Sequence, residues 1–84
     1  MWYFYILQSQ RVNNWFYKGS TNNLSRRIRL HNLGKVRSTK YYRPLRLVYY
    51  EAYLTEDAAR LRESSIKKSG AVWGALMGRV KKGL

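Results

Sequence analysis

The chain predicts an α+β fold (α/β in the broad sense): one three-stranded, antiparallel-containing sheet with helices packed on it, in the order β-β-α-β-α-α. Three observations predict it. Two short aromatic-rich runs, Trp2 to Leu7 and Trp15 to Lys18, flank a polar stretch closing on Asn13-Asn14, as the strands of a hairpin do. A β-branched and aromatic run spans Leu45 to Tyr53 and suits a third strand. The segments around that run repeat apolar residues at helical spacing, behind residues that cap helices.

Trp2-Tyr3-Phe4-Tyr5-Ile6-Leu7 is short and apolar throughout, as expected of a strand covered on both faces. The second strand stops on Gly19, which permits a conformation or close approach that a side chain would block. Asn22 or Asn23 can cap a helix in which Leu24, Ile28 and His31 fall at i, i+4 and i+7, and Gly34 ends it. Lys35 to Pro44 is a basic loop, Pro44 barring continuation of any helix. After the third strand Thr55 caps a second helix, with Glu56 and Asp57 at its positive end. That helix runs to about Ser69, with Gly70 as its stop. Val72, Trp73, Leu76, Met77 and Val80 trace a last short helix, about residues 71–80, and Lys81 to Leu84 are expected to fray. The 84 residues suit a single domain, 1–84, whose core spans about residues 2–69.

A hydrophobic share of 45% with eight tyrosines, three tryptophans and two phenylalanines argues for a folded chain. No apolar run approaches the roughly 20 residues of a membrane span. The apolar start lacks the basic n-region of a signal peptide, so the cytoplasm is the expected location and a monomer the default. There is no cysteine, hence neither a disulfide framework nor a thiolate zinc site. Seventeen Lys and Arg against four Asp and Glu give +13, spread along the chain. Such self-repulsion is tolerated when the partner is a polyanion, and nucleic acid is the expected one, DNA foremost.

Within this frame a few residues carry chemistry. Arg27 and His31 are i, i+4 neighbours beside Leu24 and Ile28, on the margin of the buried helix face. From spacing alone Arg27 could equally snorkel over the core, and the only histidine reads first as a helix-end residue bonded to a carbonyl. Arg26 and Arg29 point elsewhere and suit backbone phosphates. Tyr17-x-Gly19 brings a tyrosine and a close-approach glycine together before a capped helix, whereas Tyr5 alone means only core. Ala59, Glu63 and Ile66 place a carboxylate beside a buried stripe, where acids rarely lack a partner; the plain alternative is an i, i+4 pair with Lys67. The other acids have structural explanations: Glu56 and Asp57 serve a helix start, and Glu51 lies in the third strand. Too few acids remain for two metals, leaving one Mg²⁺ or Mn²⁺ on a single carboxylate, waters and phosphate. The basic loop, Lys35, Arg37, Lys40, Arg43 and Arg46, interleaves Tyr41 and Tyr42, a pattern for gripping phosphates and stacking on a splayed base.

These stretches resemble the GIY-YIG nuclease family. The likeness rests on Tyr3-Phe4-Tyr5-Ile6-Leu7, Tyr17-Lys18-Gly19-Ser20-Thr21, Leu24 to His31, Arg43-Pro44 to Glu51, and Glu63 within its helix. It is closest to small stand-alone bacterial members, similar to the catalytic module of the excision-repair incision subunit. By that resemblance Tyr5 closes the first half of the name motif, and Tyr17 and Gly19 belong to the second. Arg27 matches the catalytic arginine, His31 the helix histidine and Glu63 the metal-binding glutamate. The resemblance implies that a tyrosine helps activate water, arginine stabilises phosphoryl charge and one divalent metal eases departure of the 3′ oxygen. Here the first motif reads Tyr-Phe-Tyr, Lys18 replaces an apolar residue and adds charge beside the site, and no asparagine follows Asn32. The expectation is a metal-dependent DNA endonuclease serving repair or recombination. The alternatives are a catalytically silent DNA- or RNA-binding module on the same scaffold, and a basic accessory protein of the ribosome.

Overall fold

The longest apolar run of the chain becomes the middle strand. In the computed structural model, which describes Met1–Leu84, β1 (Trp2–Ser9) pairs antiparallel with β2 (Phe16–Thr21) and with β3 (Leu45–Tyr53), giving the order β2-β1-β3. Helices α1 (Leu24–Asn32), α2 (Glu56–Lys68) and α3 (Gly70–Lys82) complete the fold. Successive strand residues face opposite sides, and both sides of β1 are covered. Phe4 and Ile6 pack with Ile66 of α2 and Leu76, Met77 and Val80 of α3. Tyr5 and Leu7 pack on the other side with Leu45, amid Leu24 and Ile28 of α1. Opposite β1 the β3 register shifts between Tyr49 and Leu47, a bulge that adds Val48 to the strand.

Local signals behave largely as the residues dictate. Asn14 adopts φ 59° in the hairpin turn, a conformation asparagine tolerates. Asn23, rather than Asn22, caps α1 by accepting from the Arg26 N–H. At the other end Gly34 takes φ +78°. Its N–H bonds the His31 carbonyl while the Lys35 N–H reaches back to Leu30, a Schellman ending.

Four expectations need correction. β2 does not stop at Gly19: it runs on to Thr21, with Gly19 paired to Tyr5 in the ladder. Gly70 is not the stop of α2; Ser69 accepts from the Val72 N–H and starts α3 there. The last helix continues to Lys82 instead of fraying from Lys81. β2 also begins at Phe16 and not at Trp15. In α3, Leu76, Met77 and Val80 are buried in the core, and that burial holds the helix in place.

The basic loop is pinned, not free. Trp15 and Tyr42 stack face to face, 3.8 Å between centroids, and Ser9 Oγ donates to the Tyr42 carbonyl at 2.6 Å. Tyr42 is therefore occupied, and Tyr41, 68% exposed, is the aromatic left for a ligand.

On the α2 side Glu51 is a brace. It accepts from Tyr49 and Tyr53 hydroxyls (2.6 Å each) and from Arg62 Nε and Nη2 at 2.9 and 3.1 Å. Burial pushes this carboxyl up, but the hydrogen bonds of Arg62, Tyr49 and Tyr53 outweigh it and hold the group below its ordinary 4.5. A depressed folded-state value makes the contribution complete above 4.5 and drains it as pH falls below. Glu51→Gln should cost ~2 kcal/mol at neutral pH and lose less than the wild type on acidification, read from urea midpoints. Equal acid sensitivity of the two proteins would remove Glu51 from this role.

Candidate active site

Four elements converge on one open cleft of about 580 Å³. β1 supplies Tyr5, β2 supplies Tyr17 and Gly19, α1 supplies Arg27, and α2 supplies Glu63. The central contact is between Tyr5 and Gly19, which face each other across the ladder. A Cβ on Gly19 would lie 2.8 Å from Tyr5 Oη and 2.9 Å from Tyr5 Cζ. Gly19 is thus a glycine because the Tyr5 ring lies across it; Gly34 is the one glycine with positive φ.

The Tyr5 hydroxyl is 2.9 Å from His31 Nε2 and receives a long 3.5 Å bond from Arg27 Nε. His31 Nδ1 is 2.7 Å from Thr39 Oγ1, and that hydroxyl donates to the Val36 carbonyl at 3.3 Å. Assigning the single Thr39 proton to the Val36 carbonyl makes Nδ1–H the donor to Thr39 and leaves Nε2 to accept from Tyr5. His31 is fully buried. Burial first, then the Arg27 charge, pushes its pKa down to about 4. Burial likewise pushes Tyr5 up to about 12, against the hydrogen bond from Arg27. The resting state is therefore a neutral phenol on a neutral imidazole.

His31 is not bonded to a carbonyl, as its spacing first suggested, but lies between Tyr5 and Thr39. It does not line the cleft itself and meets it through Tyr5 and Tyr17. Thr39, its orienting partner eight residues away, was missed by sequence reasoning because an α-helical period does not reach past the Gly34 turn. Tyr17 lies against His31, 5.1 Å between ring centroids.

Glu63 satisfies both readings of its position. It lines the cleft, accepts from Ser20 Oγ at 2.7 Å and pairs with Lys67 through the other oxygen. Arg60, Lys67 and Lys68 line the same cleft, forming with Arg27 a cationic wall that sequence reasoning assigned elsewhere. The signal was present: Arg60 and Lys67 flank Glu63 at i−3 and i+4, and Lys68 follows the cleft residue Ser64 at i+4. None of the basic-loop residues lines the cleft. Arg26, Arg29, Lys35 and Arg37 are exposed, and Lys40 lies 5.0 Å from the Tyr41 ring. Arg43 donates to the Lys40 carbonyl at 2.7 Å and covers Gly34, whose Cβ would meet its Nη1 at 2.6 Å. Arg46 bonds Gln8 at 2.9 Å. Lys18 turns away from the cleft, its Nζ 3.9 Å above the Trp73 ring.

Comparison with known proteins agrees with this geometry. A family profile describing the GIY-YIG catalytic domain matches residues 1–72. A UPF0213 protein of Streptococcus pyogenes serotype M3 is 37% identical over 67 residues, covering 79% of this chain and 71% of its own. A UPF0213 protein of serotype M1 shows the same identity and coverage, and one of serotype M5 is 36% identical over the same share. No solved structure gives a significant match.

The tautomer chain can be checked directly, because His31 is the only histidine. Its imidazole nitrogens should titrate near pH 4 and show the Nδ1–H form above that. The unfolded chain takes up this proton near 6.5, so the buried imidazole's contribution is present above 6.5 and lost as pH falls toward 4. Gly19→Ala should displace the Tyr5 ring, cost ~1–3 kcal/mol and raise the His31 pKa. Titration near 6.5 in the wild type by NMR would contradict the buried Tyr5–His31 pair.

Proposed function

The chain belongs to the GIY-YIG family, and from that premise we propose that it is a metal-dependent endonuclease hydrolysing phosphodiester bonds in DNA, in repair or recombination. The supporting observation is the joint presence in one cleft of the Tyr5 hydroxyl, the Arg27 guanidinium and the Glu63 carboxylate. A silent binding module has no use for a half-buried acid amid cations.

The donor set at Glu63 fits one hard divalent cation. Glu63, Ser20 and Ser64 line the cleft, with the Ser20 hydroxyl on the Glu63 carboxylate, and their side chains carry oxygens of the kind Mg²⁺ and Mn²⁺ take. No group of three acids or histidines gathers anywhere in the protein, so water and substrate phosphate would complete the shell. When bound, the metal supplies Lewis-acid stabilisation of the departing 3′ oxygen.

The protein's own groups do the rest. Arg27, held beside the cleft by its long bond to Tyr5, lays its planar guanidinium on the non-bridging phosphate oxygens. Arg60, Lys67 and Lys68 hold the flanking phosphates. Tyr5 orients the attacking water; as its oxygen takes the water's proton, its own passes to His31 Nε2. The incoming phosphate favours that transfer, because nearby negative charge raises the proton affinity of His31. Thr39 keeps Nε2 free to accept. No helix is long and apolar enough to cross a membrane, and the proposal places the protein in the cytoplasm.

Single-turnover cleavage of the Arg27 and Arg26 variants tests this. Arg27→Ala should lose on the order of 10²- to 10³-fold in rate, and Arg27→Lys should not restore it, lacking the bidentate fork. Arg26→Ala, exposed on α1, should weaken binding alone. Full activity of Arg27→Lys, or equal behaviour of the two alanine variants, would overturn the assignment.

A further inference from the structure

A second recess of about 300 Å³ adjoins the catalytic tyrosine and serves no purpose in the chemistry above. Tyr3 and Tyr50 form its aromatic wall, and Asn22, Asn23, Leu24 and Ser25 close it from the α1 end. Tyr50 is the cross-strand partner of Tyr5, and Tyr3 stands two residues before Tyr5. Strand alternation sends all three to the same face, and the backbone positions of Tyr3 and Tyr50 neighbour that of Tyr5 at about 5–7 Å along the sheet.

The two rings meet edge to face, 5.9 Å apart at 69°. Tyr50 is 54% exposed, and neither tyrosine belongs to a core cluster. Neither hydroxyl bonds another protein group. The occupant's chemistry follows from the lining. The catalytic cleft is walled by Arg27, Arg60, Lys67 and Lys68 and suits phosphates; this recess has no charged residue and offers a flat π-face with amides at its rim. A nucleobase has that complement: an aromatic face to stack and polar edges for Asn22.

We propose that Tyr3 and Tyr50 form a stacking subsite for a nucleobase adjoining the scissile phosphate. A base inside a duplex has both faces covered, so the subsite selects DNA whose flank is single-stranded or whose base has turned out of the helix. This rests on the cleft being the nuclease site. Stacking is sequence-tolerant, so the subsite discriminates by strandedness, while the amide rim leaves room for modest base preference.

The test is fluorescence of 2-aminopurine placed at successive positions of a DNA single strand, titrated in EDTA so that no cleavage intervenes. Wild type should quench the probe at one or two adjacent positions, and Tyr50→Phe should do the same. Tyr50→Ala should abolish the quenching and weaken single-strand binding about tenfold, with blunt-duplex binding within about twofold of wild type. Equal losses on single strand and duplex, or no quenching at any position by the wild type, would overturn the subsite. Because the readout needs no turnover, it fails or succeeds independently of the Arg27 cleavage result.

Discussion

The Tyr5 ring lying across Gly19 is the contact on which the rest of the site depends. β1 is covered on both faces, so the strand register decides whether Tyr5 faces α1 or the core made by α2 and α3. A slip of one residue would exchange Tyr5 for Phe4 or Ile6 and empty the site. With the register fixed, only a glycine opposite lets the ring settle where its hydroxyl meets His31 and Arg27. The glycine also keeps β2 close enough for Ser20, its neighbour on the opposite face, to reach Glu63. One missing side chain thus joins the α1 half of the site to the α2 half.

Two carboxylates of nearly equal exposure, 18% for Glu51 and 19% for Glu63, differ in their partners. Glu51 is enclosed by two phenols and a bidentate guanidinium, which use its oxygens fully. Glu63 meets one hydroxyl and one lysine at the edge of a cleft, fewer and weaker partners. A surface i, i+4 pair such as Glu63–Lys67 is worth only a few tenths of a kcal/mol, so it offers little resistance to a competing cation.

Much of the architecture was legible because it is local. The hairpin turn, the Asn23 and Thr55 caps and the Gly34 ending each follow from a few neighbouring residues. Gly70 misled for the same reason: a glycine after a helix resembles a stop, yet Ser69 beside it is a capping residue, and the apolar stripe beyond had a core to join. The site was legible as residue types but not as partners. His31 with Tyr5, and Ser20 with Glu63, lie 26 and 43 residues apart, and no periodicity spans such distances. The cations that line the cleft, Arg60, Lys67 and Lys68, went unnoticed because charge density points to a segment, whereas the cleft is set by which helix faces the β2 edge. Arg43 and Lys18 are consumed by Gly34 and Trp73, contacts that only the fold creates.

On the proposed reading one carboxylate, Glu63, makes this cleft a metal-dependent phosphodiesterase. Cleavage of a panel of single-stranded, duplex, flap and branched DNA under Mg²⁺ or Mn²⁺, comparing wild type with Glu63→Gln, tests it most directly. The wild type should show metal-dependent cleavage and Glu63→Gln none, with thermal stability and DNA affinity nearly unchanged. Unimpaired cleavage by Glu63→Gln, or a wild type that binds the panel and cuts none of it at any metal concentration, would contradict it.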